Sequence, residues 1–252
     1  MDNYCYIEMN KCLNCDSEST NNFCSVCGQK NSTHRFSMKH FFLHDFIHGV
    51  FHLDKGFLFT FKELYTRPGH SIREYIQGKR AKHFNYFTLM LLIYAISHFL
   101  AKIPEKSVYD IMIDNNIRVG NYKVLKEYAK FIMLLYIPLY SLATFLFYYK
   151  SKLNYTEHVV MAMYYSSAIL VFHVIPIIAP VISTNLNFIL TLRIIVGFTE
   201  YLYYFWFLYQ FFSKFKFNKV ELIIRTVLVV FIMSMITFAV GKVVGYIGLN
   251  YF

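Results

Sequence analysis

At 252 residues, 56% hydrophobic, 20% aromatic and only 16% charged, the chain is too apolar for a soluble domain of its size. The net charge of +10 would suit a nucleic-acid binder in a soluble protein. Here most basic residues flank apolar runs or lie in short loops, where membrane topology accounts for them and no nucleic acid is expected. The composition points to an all-α integral membrane protein.

In chain order, Met1 to Asn10 carries Asp2 and Glu8 and has no apolar core, so no cleavable signal is expected and the first span must direct insertion. Residues 1–33 read as a small N-terminal zinc ribbon. Cys12-Leu13-Asn14-Cys15 and Cys24-Ser25-Val26-Cys27-Gly28 are two CxxC pairs, each able to set two thiolates on one side of a tight turn. Four protein ligands close a tetrahedral shell and leave no water to activate, so the zinc would be structural. A disulfide or a redox CxxC is the rival, but two matched pairs without a secretory signal favour metal in a reducing compartment. Cys5 has no partner at ligand spacing.

Residues 34–83 read as cytoplasmic amphipathic helices and a basic elbow. His40, His44, His48 and His52 repeat every four residues, which suits the polar face of an interfacial helix; a metal or proton-sensing pair, with Asp45 or Asp54, is the sharper alternative. Phe57, Phe61, Leu64 and Tyr65 follow helical spacing until Pro68 and Gly69. Ser71 and Glu74 have capping-box spacing for a second short helix, and Gly78 suits its left-handed end. Arg67, Arg73, Lys79, Arg80 and Lys82 are expected at the headgroup level, against anionic lipid or a partner protein, with Gly78 letting neighbouring cations converge.

Residues 84–252 hold five apolar runs, about 84–101, 129–148, 159–182, 187–212 and 222–249, each at or near the ~20 residues of a membrane crossing. A multi-pass inner-membrane protein with its N-terminus inside puts Lys150, Lys152, Lys214, Lys216 and Lys219 in the cytoplasm. The loop at 102–128 would be the one sizeable outside element. Asp110 to Ile113 and Val124-Leu125 are candidate short surface helices there. Within the spans, His98, His173 and Glu200 fall at one depth counted at 1.5 Å per residue, with Arg193 two turns from Glu200. They could form a polar mid-membrane site or plain hydrogen-bonded contacts between helices. The aromatic run Tyr201 to Phe212, with Trp206, is expected to face lipid and the interface.

The CxxC…CxxCG knuckles, His52-Leu53-Asp54-Lys55-Gly56-Phe57, Thr60, Arg67-Pro68-Gly69, Ile72 to Ile76 and Gly78-Lys79-Arg80 together resemble a bacterial family of zinc-ribbon multispan membrane proteins of unknown function, domain-of-unknown-function family 3667. The resemblance covers about the first 90 residues and implies the ribbon and the membrane architecture. It carries no reaction. The chain has no HExxH, GxSxG or phosphate-binding glycine loop, so an enzyme reading has no motif to rest on. The expected role is a membrane scaffold or regulator whose ribbon and elbow dock a cytoplasmic protein or anionic lipid. The alternative is a transporter or channel-like protein using the His/Glu groups; five spans make a small pathway, which would require a homo-oligomer.

Overall fold

The computed structural model describes residues 11–19, 21–38, 56–115 and 120–251. The histidine stripe from His40 to His52, Asp45, Asp54 and Cys5 lie outside them. Among the described residues eight α-helices follow the N-terminal module: α1 Gly56–Thr66, α2 Pro68–Ile76, α3 Tyr86–Leu100, α4 Val108–Asp114, α5 Gly120–Phe147, α6 Tyr155–Ile178, α7 Leu186–Phe212 and α8 Lys219–Tyr251. Short polar side chains set most of the starts. Asn85 accepts from the Phe87 and Thr88 amides, Asn185 from those of Asn187 and Phe188, and capping boxes pair Ser107 with Asp110 and Asn154 with Glu157. Among the described residues β structure is limited to two isolated bridges in the module.

Among the described residues three helical stretches are long and apolar enough to cross a membrane: Tyr155–Val181, Leu186–Phe212 and Lys219–Val244. The other two expected spans are shorter as apolar helices. Tyr86–Leu100 has 15 residues, about 22 Å at 1.5 Å per residue against a ~30 Å hydrocarbon core. Helix α5 is 28 residues long; Leu134–Phe147 is the apolar stretch found among its described residues, and the helix runs back through Lys130, Glu127, Lys126 and Lys123. Val124-Leu125, expected as a separate surface helix, lies within this extension, whereas Asp110 to Ile113 does sit in the short helix α4.

The helices form one bundle with two distinct ends. At one end meet the N-terminal module, the start of α6, the ends of α5 and α7 and the start of α8. The contacts that join them are Arg35 with Glu157, Arg73 with the Phe211 carbonyl, Tyr148 with Thr226 and Lys150 with Glu221. At the other end Val108 and Ile111 of α4 pack on Ala179 and Ile189. The core is aromatic. Tyr148 stacks on Phe212 at 3.6 Å, and Tyr165 lies 4.3 Å from Tyr204 and 5.7 Å from Tyr140. The run from Tyr201 to Phe212 is therefore not mainly lipid-facing. Tyr203, Tyr204, Phe207, Leu208, Phe211 and Phe212 are buried in pairs at helical spacing, because α7 packs against α2, α6 and α8, with Tyr204 also against Tyr140 of α5.

Candidate metal centre and the elbow beneath it

The two CxxC turns repeat one backbone hydrogen-bond pattern at a shift of twelve residues. Cys12 N donates to Ser17 O and Cys24 N to Gln29 O, while Asp16 N returns to Cys12 O and Gly28 N to Cys24 O. Asp16 and Gly28 hold φ values of +59° and +73°, the left-handed step that turns each chain back under its own thiolates. The turns bring the four Sγ atoms within 4.8 Å of one another, with Cys12 to Cys27 at 3.5 Å and Cys15 to Cys24 at 3.6 Å. A tetrahedron with metal–sulfur bonds of about 2.3 Å has edges of about 3.8 Å, so the donor set fits a closed tetrahedral shell. All four cysteines are free thiols, and the Ser17 hydroxyl lies 2.9 Å from Cys15 Sγ and 3.2 Å from Cys24 Sγ, where it can donate to thiolate. Among the described residues this is the one group of His, Cys, Asp and Glu with metal-holding geometry.

The module does not hang free. Gln29, only 5% exposed, leaves the second knuckle and uses both ends of its amide on the elbow: Nε2 donates to Gly78 O at 2.9 Å, and Oε1 accepts from the Arg80 and Ala81 amides at 2.9 and 3.1 Å. Leu13 of the first knuckle rests on Gly78, where a Cβ would lie 2.9 Å from its Cδ1; with φ at +112°, only glycine suits the position. Arg80 then reaches back. Its guanidinium sits 3.9 Å over the Phe36 ring and 5.5 Å from Tyr75, and Nη2 donates to His34 O at 3.0 Å. Arg35 completes the attachment with a two-pronged bond to Glu157, at 2.7 and 2.8 Å, on a carboxylate that also caps α6. Sequence reasoning missed Gln29 and Arg35. The signal for Gln29 was the twelve-residue offset itself, which places it opposite Ser17 as the residue leaving a knuckle.

Below the module the elbow is fastened to α7. Helix α2 starts at Pro68, with Arg67 as the residue before its first turn, not at Ser71. Ser71 lies inside the helix with its hydroxyl 2.8 Å from His83 Nε2, so the Ser71/Glu74 spacing is not a capping box; Pro68, with its fixed φ and missing N–H, takes the start. Glu74 instead pairs with Arg67 at 3.2 Å. Gly69 allows α2 to touch α7 backbone to backbone. A Cβ there would fall 2.3 Å from both Phe207 O and Phe211 N. Arg73, 6% exposed, donates to Gln210 O and Phe211 O at 2.8 and 2.9 Å, at the end of α7 where carbonyls run out of intrahelical amide partners. Arg225 does the same for α5, donating to Phe147 O while its other nitrogens bind Glu221. His83, under Phe59 and Tyr75, is pushed down to about 4 by burial and is neutral at pH 7.

The five elbow cations thus separate. Arg73 is buried on helix carbonyls, Arg80 is stacked against the module, Arg67 is paired with Glu63 and Glu74, and Lys79 and Lys82 are exposed. Of the mid-span groups, His173 Nε2 lies 3.3 Å from Glu200 Oε1, with side chains 52% and 18% exposed. His98 sits exposed against Phe99 on α3 and, among the described residues, bonds to neither.

Residues 54–97 match the family model described as "Protein of unknown function (DUF3667)". The matched stretch is the elbow with α3, and the resemblance read from the sequence holds there. No curated protein and no solved structure matches the chain.

Proposed function

We propose that the chain is a five-span inner-membrane protein whose zinc module, seated on the elbow, forms a cytoplasmic docking surface for a protein partner or for anionic lipid. The observation that carries this reading is the Gln29 amide, which joins the four-cysteine module to Gly78, Arg80 and Ala81 as one surface. A closed thiolate shell suits a structural role, and zinc is the metal such a shell prefers in a reducing compartment. Orientation follows from charge. Lys79, Lys82, Lys150, Lys152, Lys214, Lys216 and Lys219 are grouped with the module at one end, as cytoplasmic flanks are. Single cysteines introduced at Lys150 and Lys214 should label only from the cytoplasmic side and one at Asn115 only from outside. Labelling of position 115 from the cytoplasm alone would overturn the orientation.

The docking role is tested by purification from native membranes in mild detergent. A protein bound to the wild-type chain and lost from Gln29→Ala, with metal still present, supports docking through the module. A bound partner retained by that variant would contradict it. A second reading, transport, is favoured by the His173–Glu200 contact, since an acid and a base at one depth of two spans can exchange a proton. Solute flux in vesicles that is abolished by Glu200→Gln would support it, and flux unchanged by that substitution would remove it.

A further inference from the structure

Between the end of α5 and the start of α8 lies a groove of about 530 Å³ whose chemistry changes along its length. Asn218, Glu221 and the Arg225 guanidinium, which is drawn back onto Glu221, stand toward the module end with Val220 among them, and Ile224 and Leu228 of α8 with Phe147 of α5 supply an apolar wall. From Asn218 to Leu228 is ten residues, about 15 Å along a helix, which is half of a ~30 Å hydrocarbon core. A site polar at one end, apolar beyond it and one leaflet long has the proportions of a phospholipid.

We infer that this groove is a binding site for one anionic phospholipid, its acyl chain along α8 and its phosphate at the mouth. The mouth is built for negative charge. Glu221 is already shared by Lys150, at 2.7 Å, and Arg225, at 2.8 Å, so the cluster keeps a net positive charge, and exposed Lys216 and Lys219 adjoin it in sequence. Arg225 is held by Glu221 and the Phe147 carbonyl and shapes the wall, whereas Lys150 and Lys219 can turn their ammonium groups to a phosphate. This is a different place from the elbow, where Arg73 and Arg80 are committed to carbonyls and rings. The inference rests on the membrane reading alone and stands whether or not the module docks a partner.

The test uses the full-length protein, purified with its metal and reconstituted in vesicles of equal phosphatidylglycerol and phosphatidylcholine, with retained lipid read by native mass spectrometry. The wild-type chain is expected to retain phosphatidylglycerol several-fold over phosphatidylcholine. Lys150→Gln with Lys219→Gln should lower that preference several-fold, while Ile224→Trp, which fills the groove, should remove the adduct. Lys79→Gln with Lys82→Gln at the elbow should leave it in place. Retention unchanged in both groove variants, or lost only in the elbow variant, would overturn the site. If Ile224→Trp does not fold, the Lys150/Lys219 pair still decides, because it alters only side chains at the surface.

Discussion

Cys24→Ser is expected to reduce bound zinc from one per chain to near zero and to detach the N-terminal module while the spans remain inserted. A structural thiolate site supplies about 10 kcal/mol or more of folding free energy to a small module, far above what so short a segment can gain from its own core. The described module has little core to fall back on: Cys12 and Cys24 are themselves among its few buried apolar residues, and Phe23 and Val26 are exposed. Once the second knuckle opens, Gln29 is no longer held by the Cys24 amide, and its bonds to Gly78, Arg80 and Ala81 lose their geometry. Limited proteolysis should then cut near residues 30–38 in the variant and spare the wild type. Unchanged zinc in Cys24→Ser, measured on purified protein, would remove the metal assignment.

Gly69→Ala should be the most damaging of the small substitutions in the bundle. The added methyl would meet Phe207 O and Phe211 N, backbone atoms that cannot swing aside, so α2 must lift away from α7. Overpacking of this kind costs about 1–3 kcal/mol, and lifting α2 also draws Arg73 off the Gln210 and Phe211 carbonyls, which loses two charge-assisted bonds at the end of α7. The apparent unfolding midpoint in detergent should fall by several degrees. Gly197→Ala provides the contrast, because a Cβ at Gly197 meets nothing within 4 Å, and alanine removes the helix cost of glycine, about 1 kcal/mol. Equal midpoints for the two variants would contradict the close α2–α7 contact.

How much of this was legible in the sequence depended on whether a residue acts locally. The cluster of four cysteines, the break at Pro68, the left-handed Gly78 and three of the five apolar runs follow from spacing and backbone chemistry, and these appear in the structure. The capping box at Ser71 was misread because Pro68 offers a better start three residues earlier, so the same serine was free to bond His83. Long-range partners left no local trace. Arg73 and Arg80 look alike as members of a basic flank, yet one finishes α7 and the other stacks on Phe36, 44 positions upstream. The aromatic run of α7 was also ambiguous. Tyr and Phe suit both a lipid belt and a core, and only the neighbours that cover Tyr203, Tyr204 and Phe207 decide between them.

Helix ends were the other gap. Apolar periodicity locates the middle of a span, but α5 continues nine residues before its apolar run, to Gly120, and α8 begins at Lys219, three before the start at 222 read from hydropathy. Lysine and glutamate are good helix formers, so charge at the end of a run marks the edge of hydrocarbon and not the end of the helix. The same misreading hid the cap on α6, where Asn154 and Glu157 lie outside the apolar run yet fix the helix start and receive Arg35.

On the proposed reading, a metal-shaped knuckle holds the elbow through Gln29. Backbone hydrogen exchange at Arg80 and Ala81, whose amides donate to the Gln29 side chain at 2.9 and 3.1 Å, tests it most directly when measured on the zinc-loaded protein and again after chelation. Both amides should be protected with zinc and exchange at least tenfold faster without it, while Phe207 to Phe212 keep their protection. Protection at Arg80 and Ala81 that survives complete removal of the metal would contradict the account.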